Sequence, residues 1–150
     1  IINPYIIDSN VLDLFAGTGS LGIECLSRGA LSAIFVDVSK ESINIVKSNI
    51  KKARVENEST ILNLDFKNAI DRLKIQNKKF DIIFMDPPYY KNMFIDALSS
   101  IDEADLLCDD GIIVVEHDTK DKFVDKIGRL EKTRDKKYGN TTLTFYKLEE

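Results

Sequence analysis

Residues 11–22 read VLDLFAGTGSLG, a short apolar run followed at once by a turn rich in glycine. The apolar run predicts a buried strand over residues 11–15, and the pattern that follows predicts a helix over residues 20–28, which ends before Gly29. Between these two elements the glycines form a G-x-G-x-x-G pattern. A strand, a glycine-rich turn and a helix in this order are typical of α/β folds in which the N-terminus of the helix faces a ligand.

The rest of the chain continues the alternation of strands and helices. Apolar runs predict further strands over residues 33–36, 60–64, 80–85 and 111–116, and periodic segments predict helices that begin at Ser39 or span residues 66–75 and 93–101. Two strands joined by Gly139-Asn140, over residues 132–138 and 141–148, close the chain. We therefore expect a single α/β domain over residues 1–150, with a mostly parallel sheet, helices on both faces and a C-terminal antiparallel hairpin.

The composition excludes several classes of protein. The chain has 150 residues, of which 43% are hydrophobic and 31% are charged, as in an ordinary globular domain. No apolar run approaches the roughly 18–20 residues of a membrane-spanning helix, and the net charge of −4 argues against coating nucleic acid by charge alone. His117 is the single histidine, and neither cysteine has a second ligand at metal-binding spacing, so we expect no metal site. We expect a cytoplasmic monomer that does not contact a membrane.

Three aspartates at or near the ends of predicted strands indicate which ligand the glycine-rich turn binds. Asp37 follows the second strand, twenty residues after Gly17, where a carboxylate accepts both hydroxyls of a ribose. Asp13 lies four residues before Gly17, and its charge would repel a pyrophosphate but attract a positively charged amino group. Asp65 either accepts a hydrogen bond from an adenine amino group, with the backbone of Phe66 beside the ring, or caps the following helix. The pattern favours S-adenosylmethionine over a dinucleotide.

The fourth predicted strand is followed at once by Asp86-Pro87-Pro88-Tyr89. The exocyclic amino group of a nucleobase is a poor nucleophile, because its lone pair is delocalised into the ring. The Asp86 carboxylate and the Pro87 carbonyl can accept its two hydrogens and turn the lone pair towards a methyl donor, and the two prolines hold the backbone rigid. Tyr89 offers a ring on which a base taken out of its helix can stack. The alternative is a rigid turn in which Asp86 only caps the next helix.

The sequence resembles the D-type guanine-N2 methyltransferases of bacterial 16S ribosomal RNA, a family of class I S-adenosylmethionine-dependent enzymes. The resemblance rests on residues 11–24, 26–30, 80–89 and 137–141. It implies a Rossmann-like sheet of seven strands in the order 3-2-1-4-5-7-6. It also implies methyl transfer to the exocyclic N2 of a guanine in 16S ribosomal RNA, within the small ribosomal subunit or an assembly intermediate. The site residues that it implies are cofactor contacts at Asp13, Gly17, Gly19, Asp37 and Asp65, and catalytic roles for Asp86, Pro87 and Tyr89. We also expect Phe15 and Phe66 to contact the cofactor.

Members of the resembled family begin with a basic segment that is similar to an RNA-contacting arm. This chain begins at Ile1 without an initiating Met, so we expect a fragment that lacks this segment. Basic residues crowd the end of the chain, and we expect Lys136 and Lys137 to add contacts to RNA phosphates.

Two other functions remain open from the sequence. An adenine-N6 methyltransferase acting on DNA or RNA would use residues 86–89 in the same way, since this chemistry suits any exocyclic amine. A nicotinamide-binding Rossmann protein would use the glycine-rich turn and Asp37. It would leave Asp13 and residues 86–89 without a role.

Overall fold

The computed structural model describes residues 3–87, 91–121 and 123–150. The strands are β1 Asn10–Asp13, β2 Ser32–Val36, β3 Ser59–Leu62, β4 Phe80–Met85, β5 Leu107–Asp118, β6 Lys126–Ile127, β7 Leu130–Tyr138 and β8 Thr141–Leu148. The helices are α1 Asn3–Ile6, α2 Ser20–Ser27, α3 Lys40–Ala53, α4 Phe66–Ile75 and α5 Lys91–Glu103, and a 3₁₀ turn covers Glu56–Glu58. None of the helices in these ranges is both long enough and apolar enough to cross a membrane.

The eight strands of the described ranges form one sheet in the order β3-β2-β1-β4-β5-β8-β7-β6. Strands β1 to β5 pair in parallel, whereas β8 pairs antiparallel to both β5 and β7. The expected order 3-2-1-4-5-7-6 is confirmed, because its strands 6 and 7 are β7 and β8. The sequence does not predict β6 at the outer edge, since two residues are too few to show an alternating pattern.

The predicted boundaries agree best with the structure where an element carries an uninterrupted pattern. Helix α4 and strands β4 and β8 begin and end at the predicted residues. Strand β5 begins at Leu107, four residues before the predicted start. Its residues Asp109 and Asp110 are charged and lie at an irregularity in the pairing of β4 with β5, which interrupts the alternation on which the prediction depends.

The parallel strands β1, β2 and β4 are buried on both faces, as predicted, whereas β7 is largely exposed. Successive side chains of β1 point to opposite faces, so that Leu12 joins a cluster with α4 and α5 while Val11 joins a cluster with α2 and α3. Both side chains are fully buried. The two helical layers therefore hold the strands rigidly and leave their carboxyl ends at a single edge of the sheet.

Polar residues that are distant in sequence meet at this edge. β1 ends at Asp13, Asp37 follows β2, Asp86 follows β4, and Glu116 lies near the end of β5. Open α/β sheets bind their ligands at the carboxyl ends of the strands. The fold thus places four carboxylates where a ligand site is expected.

Candidate active site

The glycine-rich turn between β1 and α2 places backbone atoms next to open space. Gly17 has a φ of 59°, a left-handed conformation that favours glycine, and a Cβ atom added there would meet no heavy atom within 4 Å. Gly22 lies against β2 instead, and a Cβ atom there would come within 2.5 Å of the ring of Phe35. Gly22 therefore allows α2 to pack on the sheet, whereas Gly17 leaves room for a ligand to approach the backbone.

A cavity of about 570 Å³ opens at this turn. Its lining includes seven of the predicted site residues: Asp13, Phe15, Gly17, Asp37, Asp65, Phe66 and Asp86. Gly19 and Pro87 are not among the residues that line the cavity. Gly19 precedes α2 as its N-cap residue in a left-handed conformation, and Pro87 is buried directly after Asp86. Tyr89, the third predicted catalytic residue, lies outside the described residues.

Asp13 ends β1 with its side chain buried, at 3% exposure. Its Oδ2 atom has no hydrogen-bond partner in the part of the chain that the structure describes. Burial raises the pKa of Asp13 to about 7, although a hydrogen bond from the backbone of Gly22 acts in the opposite direction. The charges of Asp37 and Asp86 raise the pKa further. A buried acceptor without a partner is costly, and a bound cationic amino group would satisfy it and favour its charged form.

Asp37 follows β2 and connects it to the glycine-rich turn. Its Oδ2 atom accepts a hydrogen bond of 2.9 Å from the N–H of Gly17, and its Oδ1 atom accepts one of 2.9 Å from the N–H of Ser39. Each carboxylate oxygen has a second lone pair, which stays available to a hydroxyl group. The backbone therefore holds the carboxylate in place while it can still accept hydrogen bonds from a ribose.

Asp65 is the N-cap residue of α4. Its Oδ1 atom accepts a hydrogen bond of 2.8 Å from the backbone N–H of Asn68, and its Oδ2 atom accepts one of 2.9 Å from the side-chain amide of the same residue. The structure thus shows the capping role for Asp65, and the residue also lines the cavity. Beside it, the rings of Phe15 and Phe66 lie 5.7 Å apart and form an apolar wall of the cavity. Such a wall suits a flat ring such as adenine.

Glu116 is a site residue that the strand and motif patterns did not single out. It lies on β5 beside Asp86, one position beyond the pair formed by Met85 and Val115, and both residues line the cavity. Partial burial, followed by the charge of Glu116 and a hydrogen bond with it, raises the pKa of Asp86 to about 6. The signal was present in the sequence, because Glu116 is the last residue of the predicted strand over residues 111–116.

The residues of this cavity fit an amino acid joined to a nucleoside. Asp13 offers an acceptor to a positively charged amino group, Asp37 offers one to a ribose, and the wall that contains Phe66 suits an adenine ring. S-Adenosylmethionine combines these three groups in one molecule. Asp86 and Glu116 are not needed for any of these contacts, so they remain available to a second substrate.

Comparison with known proteins gives a family match over nearly the whole chain. Residues 1–147 match the family described as Conserved hypothetical protein 95. The chain is 40% identical over 146 residues to the putative rRNA methyltransferase YlbH of Bacillus subtilis, and this match covers 97% of the chain and 79% of that protein. It is 38% identical over 122 residues to ribosomal RNA small subunit methyltransferase D of Haemophilus influenzae, which covers 79% of the chain and 61% of that protein.

A solved structure shares the fold. The structure of a conserved hypothetical protein from Streptococcus pyogenes superimposes with a TM-score of 0.88 and a sequence identity of 34%. The superposition covers 98% of this chain and 89% of that one. It therefore includes both the parallel part of the sheet and the closing antiparallel strands.

Proposed function

The chain belongs to the family described as Conserved hypothetical protein 95, as its motifs led us to expect, and we propose that it is an S-adenosylmethionine-dependent methyltransferase of 16S ribosomal RNA. The acceptor in this proposal is the exocyclic N2 of a guanine. One observation carries the proposal: among the described residues, Asp13, whose buried Oδ2 atom has no hydrogen-bond partner, and Asp86 belong to the lining of one cavity. The first fits the cofactor, and the second fits the amino group that is methylated.

The cofactor would be held by residues of three strand ends. Asp13 accepts hydrogen bonds from its positively charged amino group, and Asp37 accepts them from its ribose hydroxyls. Phe66 contacts its adenine ring, and Asp65 accepts a hydrogen bond from the adenine amino group with a lone pair that the helix cap does not use. When bound, S-adenosylmethionine supplies a methyl group that is activated by its bond to a positively charged sulfur atom.

Asp86 and Pro87 prepare the acceptor. The Asp86 carboxylate and the Pro87 carbonyl accept the two hydrogens of the guanine amino group, so that its lone pair faces the methyl carbon. During transfer the nitrogen forms a bond to the methyl carbon, and the bond from that carbon to sulfur breaks with its electron pair left on sulfur. Asp86 then takes the proton that the nitrogen releases. Tyr89 stacks on the guanine in this proposal, as the sequence motif predicts.

The names of the relatives support the choice of substrate. One is called a putative rRNA methyltransferase, and the other is called a ribosomal RNA small subunit methyltransferase. We therefore place the target guanine in the RNA of the small ribosomal subunit or of an intermediate in its assembly. The resemblance of residues 26–30 and 137–141 to guanine-N2 enzymes supports the choice of atom.

Transfer of tritiated methyl groups from S-adenosylmethionine to small ribosomal subunits that lack the modification tests this function. We expect wild-type protein to label the 16S ribosomal RNA, and Asp86→Ala to lose at least about 100-fold of the activity. Asp71→Ala is a matched control, because Asp71 is an exposed aspartate of α4 that is not among the residues lining the cavity.

Mass spectrometry of the digested nucleosides identifies the product. N2-Methylguanosine would support the proposed acceptor, whereas N6-methyladenosine would support the adenine-N6 alternative instead. If wild-type protein labels no RNA, or if Asp86→Ala is as active as wild type, the proposed function is wrong.

A further inference from the structure

A second cavity, of about 360 Å³, adjoins the cofactor cavity. Among the described residues, the two cavities share three in their linings: Leu21, Asp86 and Glu116. The remaining wall of the second cavity is mostly apolar, with side chains from β4, β5 and β8 such as Phe84, Val114 and Leu143. Its volume lies within the range of small-ligand pockets, and its apolar walls suit a planar base.

The position of the shared residues indicates what the second cavity holds. Asp86 and Glu116 are the two acidic residues in its lining, and both also face the cofactor cavity. A methyl acceptor has to reach the donor from a position that is open to the cofactor cavity. A group that binds these two carboxylates from the second cavity has such a position, because both residues also line the cofactor cavity.

The two carboxylates form an unusual pair of acceptors. Asp86 follows β4, Glu116 lies on the adjacent β5 one position beyond the pair formed by Met85 and Val115, and both residues line both cavities. Two neighbouring acceptors suit a ligand with two neighbouring donors. Guanine has this arrangement on its Watson–Crick edge, where the N–H of ring atom N1 lies next to the exocyclic amino group N2.

We propose that the second cavity receives the target guanine, and that Glu116 accepts the hydrogen of its ring N1 beside the amino group held by Asp86. This inference rests on the proposed function and names the residue that sets its specificity. Glu116 contacts the base in this arrangement but does not take part in breaking or forming a bond.

The same geometry discriminates against adenine. Ring atom N1 of adenine carries a lone pair and no hydrogen, so that it would face the negative charge of Glu116 without a hydrogen bond. Binding of adenine would therefore leave the Glu116 carboxylate without a hydrogen-bond donor, and this disfavours adenine strongly. Glu116 thereby separates the guanine-N2 reaction from the adenine-N6 reaction, which Asp86 and Pro87 alone cannot do.

The rim of the second cavity offers groups that an RNA nucleotide needs. Tyr138 is 52% exposed and lines the cavity from β7 together with Lys136. The Nζ atom of Lys136 lies 5.3 Å from the centre of the Tyr138 ring. The lysine charge is placed to contact a phosphate, and the exposed part of the ring is placed to contact a neighbouring base.

Exchange of the target base tests the proposal. Small ribosomal subunits are reconstituted with guanine or with adenine at the nucleotide that wild-type protein methylates, and kcat/KM is measured on both. We expect Glu116→Gln to lower the guanine-to-adenine ratio of kcat/KM by about 10- to 100-fold, because the amide can donate to N1 of adenine and no longer offers two acceptor oxygens. Glu131→Gln, an exposed glutamate of β7 that is absent from both linings, is the matched control.

A second arm uses only wild-type protein, so it does not depend on the folding of a variant. Subunits with 2-aminopurine at the target keep the exocyclic amino group but lack the hydrogen on N1. We expect kcat/KM on this base to fall by about 10- to 100-fold relative to guanine.

The outcomes separate this inference from the proposed function. If wild-type protein methylates guanine but Glu116→Gln keeps the wild-type base ratio, or if 2-aminopurine is methylated as fast as guanine, Glu116 does not recognise the base. Both results leave the methyltransferase function intact. If wild-type protein methylates none of these subunits yet binds S-adenosylmethionine in calorimetry, the proposed RNA substrate is wrong and the inference fails with it.

Discussion

The backbone N–H of Gly17 donates a hydrogen bond of 2.9 Å to Oδ2 of Asp37, although the two residues are twenty positions apart in sequence. The bond connects the glycine-rich turn after β1 with the end of β2, the strand that pairs with β1. Both residues line the same cavity. One aspartate therefore holds the turn in shape and presents its remaining lone pairs to the ligand.

Replacement of Asp37 by Ala should weaken the binding of S-adenosylmethionine by about 10- to 100-fold, because a hydrogen bond to a charged group contributes about 1.5–3 kcal/mol. Asp37→Asn keeps one acceptor oxygen and should lose less affinity. Isothermal titration calorimetry measures both, with Asp71→Ala as the control. Equal affinities of wild type and Asp37→Ala would exclude the ribose contact.

The pKa of Asp13 predicts how stability changes with pH. Burial raises this pKa from 3.8 to about 7 in the folded protein, so between about pH 4 and pH 7 the folded state keeps a proton that the unfolded state has released. The free energy of unfolding should therefore fall as the pH rises through this window, by about 2–4 kcal/mol for this one group.

Denaturant unfolding of the ligand-free protein at several pH values tests the effect. The variant Asp13→Asn has no titratable group at this position, so its free energy of unfolding should not show this fall as the pH rises. If wild type and Asp13→Asn show the same pH dependence, Asp13 does not hold a proton in the folded state.

Methyl transfer should depend on the ionisation of Asp86, which must be negatively charged to accept hydrogens and a proton. With a pKa of about 6 in the free protein, kcat/KM for the RNA should rise about tenfold per pH unit below pH 6 and level off above it. The measurement uses saturating S-adenosylmethionine, so that Asp13 is already paired. The residual activity of Asp86→Asn should show no such rise, and a wild-type profile that is flat from pH 5 to pH 8 would contradict the role of Asp86.

Two glycines of the turn should respond differently to replacement by Ala. In Gly22→Ala the new methyl group would come within 2.5 Å of the Phe35 ring, so the free energy of unfolding should fall by about 1–3 kcal/mol. Gly17→Ala meets no neighbouring atom and pays only the strain of its left-handed backbone, about 1–2 kcal/mol. Because Gly17 lines the cavity, its variant should also bind S-adenosylmethionine at least about tenfold more weakly.

Thermal unfolding and calorimetry separate the two effects. Gly22→Ala, measured well below its Tm, should keep an affinity close to that of wild type. Loss of affinity in Gly22→Ala alone would place the ligand at the packed side of the turn rather than at its open side.

The order of the helices and strands was predictable because most elements carry their own pattern. Strand β4 is an almost continuous buried run, and α4 buries Ala69, Ile70 and Leu73 at helical spacing. The short β6 and the polar beginning of β5 could not be predicted in this way. Their residues form strands only because a neighbouring strand supplies hydrogen-bond partners. The local sequence does not indicate which strand this is.

Local sequence was also enough to select Gly17, Asp37 and Asp86, since a glycine-rich turn and a strand end are properties of a few consecutive residues. Only the tertiary structure decides what surrounds each of them. Asp86 meets Glu116, thirty residues away, because β4 and β5 are adjacent in the sheet, and Asp13 keeps an unpartnered oxygen because the core closes around it, as far as the described residues show. Desolvation and hydrogen bonding depend on neighbours in space, so the chemistry of the site emerges only when the strands are assembled.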